Sequence, residues 1–427
     1  MSNTNILARA KNALAEIKKH LEQGIIPFWT KNGIDHECGG YLTCFDENGV
    51  LGADTDKYIV TQTRMIWGFS ALAEIYPDNA QFKQAANDGV AFFIKHFWDK
   101  EHGGWRWKTK RDGALLDAGK VVYGQSFAIY ALAQHYLATK DEHSLRLAEN
   151  TFDLLQKYAL DSLRGGYYEN LEPDWTLSAP GFAAGDRKSL DIHMHLMEAF
   201  TVLYKASGKE IHKRRLAEVI QTILTKTVNL NDGCGLNQFD LDFNPIPAIN
   251  IRRTWNAERA TGEEIPVPTD TTSYGHNVEL AWLLNRACDV MGDPADTYNA
   301  ITKKLVDHSL KYGYDYKHGG VYRDGPHAGA ALVTDKEWWQ NSEVLVGYLD
   351  AYTHHTDERY LEAFLGTWAF ASKHMINHAL GEWRQLLNRA GAPIVSDIGN
   401  PWKAFYHSGR SMMECVSRLG KILESGE

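Results

Sequence analysis

One phrase returns six times along the 427 residues, and no other feature constrains the fold as strongly. It reads HECGGYLTCFDENG at 36–49, KEHGGWRWKTKRDG at 100–113 and SLRGGYYENLEPDW at 162–175. Weaker copies follow as DGCGLNQFDLDFN (232–244), KHGGVYRDGP (317–326) and ALGEWRQLLNRAG (379–391). Each joins a glycine turn to a short aromatic-rich stretch of strand character, then a polar turn. The first glycines stand at 39, 103, 165, 233, 319 and 381, giving spacings of 64, 62, 68, 86 and 62. Self-similarity of this kind marks a stacked array of one supersecondary unit.

Between the copies lie paired segments of helical periodicity, such as TQTRMIWGFSALAEIY followed by AQFKQAANDGVAFFIKHFW. Their apolar residues recur at i, i+3, i+4 and i+7. An open array would need polar caps at both ends; closing it into a ring removes that need. The sequence therefore predicts an all-α (α/α)6 barrel over residues 1–427. It would be one domain, a toroid of six inner and six outer helices with the short hairpins at one end. The longest interval exceeds the others by about 20 residues, and the excess lies at 245–269, a stretch with four prolines. Loops of that length inside a compact domain are usually functional or disordered. Arg252, Arg253 and Trp255, just ahead of a helix rich in candidate site residues, point to a lid.

Charge and cysteine content narrow the function classes. The formal net charge is −9 and the 45 Lys and Arg are scattered. No basic face offers itself to nucleic acid or an anionic membrane. Cys38, Cys44, Cys234, Cys288 and Cys415 make an odd count without a CxxC pair. That argues against a disulfide framework or a zinc knuckle and suits a reducing compartment. The first residues, MSNTNILARAKNALAEIKKHLEQG, lack the apolar core of a signal peptide. No apolar run reaches the roughly 18 residues of a membrane helix. The expectation is a soluble, cytoplasmic monomer or homodimer.

In a toroid, ionisable residues near the ends of inner helices line the central pocket. Arg64 in TQTRMIWGFS, His193, His195 and Glu198 in SLDIHMHLMEAF, and His276 and Glu279 in SYGHNVELAWLL all qualify. So do His407 and Arg410 in PWKAFYHSGRSMMECV, and KEWWQNSEVLVGY adds Trp338, Trp339, Gln340 and Glu343. A lone histidine in an aromatic-rich helix is more often a hydrogen-bonded core residue, and a Trp pair is more often core than sugar platform. His193 and His195 face different sides of a helix, which makes a metal pair improbable and leaves one of them for function. His354, His355, His374 and His378 read as packing or solvent histidines. The set as a whole has a chemical logic. Histidines near neutrality take and return a proton alpha to a carbonyl, and a carboxylate orients them. An arginine stabilises an enediolate oxygen, and tryptophans stack on a sugar face. No dinucleotide fingerprint, P-loop or HExxH site occurs, so no cofactor and no metal are expected.

At these residues the chain resembles the N-acylglucosamine 2-epimerase superfamily, which includes cellobiose 2-epimerases, mannose isomerases and D-mannose 2-epimerases. The resemblance runs nearly end to end, through SYGHNVELAWLL, HMHLMEAF, WWQNSEVLVGY and WKAFYHSGR. It implies that His276 and His407 are the acid/base pair flanking C2 of the open-chain sugar. Glu279 would orient His276 and help open the ring, with His195 as a third pocket histidine. Arg64 would stabilise a cis-enediolate. Tyr123, Trp338, Trp339, Glu343, Asp191 and Arg410 would contact substrate. Disaccharide epimerases usually carry an asparagine where DIHMH places Asp191. That departure, with the 245–269 insertion, favours a free monosaccharide, interconverting D-mannose and D-glucose. The alternatives are a cellobiose 2-epimerase or a mannose isomerase ending at fructose. From other classes come an (α/α)6 glycoside hydrolase, which needs two carboxylates across a cleft, and a catalytically silent sugar-binding protein.

Overall fold

The computed structural model describes residues 3–246 and 271–425. Its first helix, α1 (Asn3–His20), runs through a wide turn into α2 (Ile26–Asn32). Five helix pairs follow. They are α3 (Ile59–Ile75) with α4 (Ala80–Phe97), α5 (Val122–Thr139) with α6 (Glu142–Leu154), and α7 (Leu190–Ser207) with α8 (Glu210–Thr222). Next come α9 (Tyr274–Met291) with α10 (Asn299–His308), α11 (Trp338–His355) with α12 (Glu358–Phe370), and last α13 (Phe405–Ser425). The odd-numbered helices from α3 to α13 each pack on the next, and α13 packs back on α3. This closes a ring of six. The sixth outer helix is α1, which lies against both α12 and α13, so the two ends of the chain seal the toroid. The (α/α)6 barrel expected from the repeats is the fold.

Burial separates the two rings. Helix α5 is buried without a break from Val122 to His135, as a helix enclosed on all sides must be. Helix α6 buries only a stripe, including Leu145, Ala148 and Phe152. The inner helix α9 starts at Ser273, whose Oγ accepts the His276 N–H at 3.3 Å; a serine cap supplies a partner to an otherwise orphaned donor. Five outer helices (all but α4) end in a five-residue wide turn such as Leu155–Ala159, where the Leu160 N–H reaches the Leu155 carbonyl at 2.9 Å. The recurring glycine follows, with φ between 73° and 87° at all six positions.

The hairpins gather at the end where the inner helices begin. The two residues leading into each of the first five inner helices pair with the next hairpin. Lys57–Tyr58 joins Lys108–Thr109, Lys120–Val121 joins Asn170–Leu171, and Lys336–Glu337 joins Leu386–Leu387. A bridge from Phe45 to Gly399 closes the circle. Five of these lead-ins begin with a lysine of 0% exposure: Lys57, Lys120, Lys188, Lys336 and Lys403. Each ammonium meets the carboxylate of its own glycine turn: Asp35 at 3.0 Å, Asp99 at 2.6 Å, Asp161 at 2.9 Å, Asp315 at 3.0 Å and Glu382 at 3.2 Å. In the fourth repeat both partners change together, to Thr272 and Asn229. Asn229 still accepts the turn N–H groups of Asn231 and Asp232, as Asp35 does those of Glu37 and Cys38. The turn survives without the charge because the opposing charge is gone too.

Among the described residues no helix is long and apolar enough to cross a membrane, and none of the five cysteines is in a disulfide. From residue 247 onward, the expected lid at 245–269 lies outside the described residues.

Candidate active site

Six repeats in register put equivalent positions at equal depth. Five residues after the start of each lead-in stand Gln62, Gln125, His193, Asn277, Asn341 and Ser408. Five of these six bond to backbone of the neighbouring hairpin. Gln62 Oε1 accepts the Tyr41 N–H at 3.0 Å, Gln125 Oε1 that of Trp105 at 3.0 Å, and Asn341 Oδ1 that of Val321 at 2.9 Å. His193 does the same job: its Nε2 accepts the Tyr167 N–H at 3.0 Å while Nδ1 lies 2.7 Å from the Ser189 carbonyl. It is a structural histidine. Two residues further on stand Arg64, Phe127, His195, Glu279, Glu343 and Arg410. This tier carries five ionisable side chains on six helices.

The tier surrounds the floor of a narrow cavity of about 40 Å³. Arg64, Tyr123, Asp191, His195, His276 and Glu279 line it together with Trp338, Trp339, Trp402 and His407. Every expected catalytic residue therefore comes together in one pocket. Two expected substrate contacts do not line it. Arg410 is 1% exposed and sits beneath the floor, 2.7 Å from Glu279, 2.8 Å from Glu343, and bonded to Glu198 and Tyr406. Three buried carboxylates need a cation, and the guanidinium fills that need from below. Glu343, likewise, holds the His407 Nδ1 at 2.7 Å instead of facing the cavity. The expected orienting pair also changes. The carboxylate against His276 is that of Asp191, Oδ1 to Nε2 3.4 Å, whereas Glu279 is tied to Arg410 and leaves Oε2 without a partner among the described residues.

The histidines differ in charge because their neighbours differ. His407 is buried and faces Arg64 and Arg410, and these hold its pKa well below the ordinary imidazole value. With Nδ1 engaged by Glu343, Nε2 is the nitrogen left to face the cavity as a base. Burial also opposes charge on His276, but Asp191 and then Glu279 outweigh it and move its pKa up. His195 lies between Asp191 (3.3 Å) and Glu198 (3.0 Å), which overcome burial and push it up to about 9. Despite its burial, Glu198 is held down at about 2 by Arg410 and His195. The pocket thus has a base on α13 and an acid on α9. Arg64 donates to the Tyr123 hydroxyl at 2.9 Å and to the Trp402 carbonyl, and its guanidinium lies 4.7 Å from the Phe127 ring centre. All six inner helices also begin at this end, so their N-terminal dipoles favour an anion there.

Ligand atoms of Glu279, Glu343 and His407 lie within 4.8 Å of one another, the spacing of a metal site. Arg410 Nη2 already makes contact with both glutamates. The cation of this cluster is the guanidinium.

The N-acylglucosamine 2-epimerase family model matches residues 40–411. The chain belongs to that family. A cellobiose 2-epimerase of Bacteroides fragilis is 28% identical over 413 residues, covering 95% of this chain and 98% of that protein. A D-mannose isomerase of Marinomonas mediterranea is 25% identical over 413 residues, covering 94% and 97%. The solved structure of a cellobiose 2-epimerase from Bacillus thermoamylovorans superposes with a TM-score of 0.84 at 25% identity, covering 96% of this chain and all of that one. Family membership makes the chain a carbohydrate epimerase or isomerase. Four residues in or around the pocket had no role assigned from the sequence. Glu198 stands three residues from His195 and Tyr406 directly precedes His407, so proximity in sequence was a signal for both. Phe127 and Trp402 give no local signal; only the repeat register finds Phe127.

Proposed function

We propose that this chain is a cofactor-independent aldose 2-epimerase working at the reducing-end C2 of its sugar. The observation that carries the reading is the pair of oppositely polarised imidazoles in one pocket, His407 held neutral and His276 held toward its charged form. His407 Nε2 takes the C2 proton, the enediolate oxygen forms beside Arg64, and His276 returns a proton to the other face. Glu279 Oε2, lining the pocket without a partner, accepts a sugar hydroxyl. A hydrolase would need two free carboxylates across the cleft, and here Glu198 and Glu343 are bound to cations or histidines. A cytoplasmic location belongs to the same reading.

For the substrate, the relatives named as cellobiose 2-epimerases support a disaccharide. A second reading, D-mannose with D-glucose, draws support from the narrow cavity and from a charged Asp191 at its wall. The ratio of kcat/KM for cellobiose and for D-mannose, with products identified by NMR, separates the two. A ratio above one favours the disaccharide, and no reaction with either sugar removes the epimerase reading for both.

The polarisation also sets the pH dependence. His407 stays neutral well below pH 6.5, the ordinary imidazole value, while His276 stays protonated above its own. Activity should hold nearly level through pH 6.5, falling in acid as His407 gains a proton and in alkali as His276 loses one. Two unperturbed histidines would instead give a narrow bell centred there, which a kcat/KM profile would reveal.

A further inference from the structure

We infer that Asp191 is a positioning residue, a single shared counter-ion that binds His276 and His195 into one acidic unit on one wall of the pocket. The inference rests on the epimerase reading and names what sustains its proton donor. One oxygen makes both contacts. Asp191 Oδ1 lies 3.3 Å from His195 Nε2 and 3.4 Å from His276 Nε2. The geometry follows from the repeat. Asp191 is in the first turn of α7, four residues before His195 and on the same helix face. His276 is in the first turn of the adjacent inner helix α9, with its backbone N–H bonded to Ser273.

Two imidazolium rings turned toward each other would repel, and an anion between them removes the conflict. His195 is bracketed further by Glu198 on Nδ1, so both its nitrogens donate. Other charges face this unit, and none replaces Asp191. Glu279 on α9 is engaged by Arg410, and Glu343 on α11 by Arg410 and His407. Asp324 of the neighbouring hairpin and Glu337 of the lead-in to α11 flank Arg323, at 3.2 and 3.6 Å. The cations nearby are Arg64 and Arg410, which also face His407, and His195 itself opposes a positive His276. Among the described residues, Asp191 is the one carboxylate within 4 Å of the His276 ring nitrogens. An amide at 191 would fill the same space without the charge.

The test is Asp191→Asn beside Asp191→Glu. In D191N, His276 loses its counter-ion and is neutral at pH 7.5, so kcat should fall about tenfold or more there with a smaller change in KM. Its kcat should climb as the pH is lowered through a range where wild type is level. D191E keeps the charge and should keep the wild-type profile shape. In parallel, NMR titration of 15N-labelled histidine in the full chain reads the rings without turnover: the His195 and His276 signals should titrate at lower pH in D191N. A D191N profile that is the wild-type curve scaled by a constant, or rings that titrate unchanged, would overturn the inference. If the rings shift but wild type exchanges no C2 hydrogen in any sugar, the epimerase reading falls and the shared counter-ion stands.

Discussion

His407→Ala and His276→Ala are each expected to lose epimerisation by about 10²–10⁴-fold, the usual worth of a positioned acid or base, with helical content unchanged. The loss should be one-sided. With His407 absent, the neutral form of His276, more populated as the pH is raised, can still take and return the C2 proton of the epimer whose hydrogen faces it. That sugar exchanges deuterium without inverting, and the other epimer is inert. His276→Ala should show the mirror pattern. The asymmetry follows from Glu343 fixing the ring on α13 and Asp191 the ring on α9. Incubating each variant with each epimer in D2O and reading the C2 signal by NMR measures it. Both variants exchanging both epimers would show that a third group, His195 foremost, does the proton transfer.

The second large effect concerns stability. Lys120→Thr removes the cation from Asp99, leaving a buried carboxylate whose remaining cation is Arg106 at 3.8 Å. Breaking a buried pair in this way costs about 3–5 kcal/mol. Adding Asp99→Asn should recover most of the loss, because the fourth repeat already folds with Asn229 and Thr272 in these places. The midpoint of urea unfolding for wild type, single and double variants is the measurement. A single variant that costs under about 1 kcal/mol, as a surface pair would, or a double variant no more stable than the single, would mean the buried pairs are incidental.

The ring was legible because its cause is local. A glycine at positive φ, a short strand, an apolar inner helix and an amphipathic outer one are each written within a few residues, and six returns of the set leave closure as the economical assembly. The catalytic residues were legible as types, because histidine, arginine and tryptophan at the starts of apolar helices are chemically conspicuous. What stayed hidden is who pairs with whom. Glu198, Glu279 and Glu343 converge on Arg410 from three other helices, so residues that look alike as pocket carboxylates divide into one that lines the cavity and two that do not. His193 and His195 are two residues apart; the resemblance pointed to the second as the pocket histidine, and alignment of the repeats shows that the first serves a hairpin. The five buried lysines read as ordinary scattered charge, since each partner lies about 20 residues back across a hairpin.

The central claim is that the pocket inverts C2 by taking a proton from one face and returning one to the other. It is tested most directly by supplying wild-type protein with D-mannose and with cellobiose in D2O and following both by NMR. The account expects the C2 epimer of at least one sugar to appear with deuterium at C2, without added cofactor and without accumulation of a ketose. An epimer that keeps its original C2 hydrogen, a ketose as the main product, or cleavage of the glycosidic bond would contradict it.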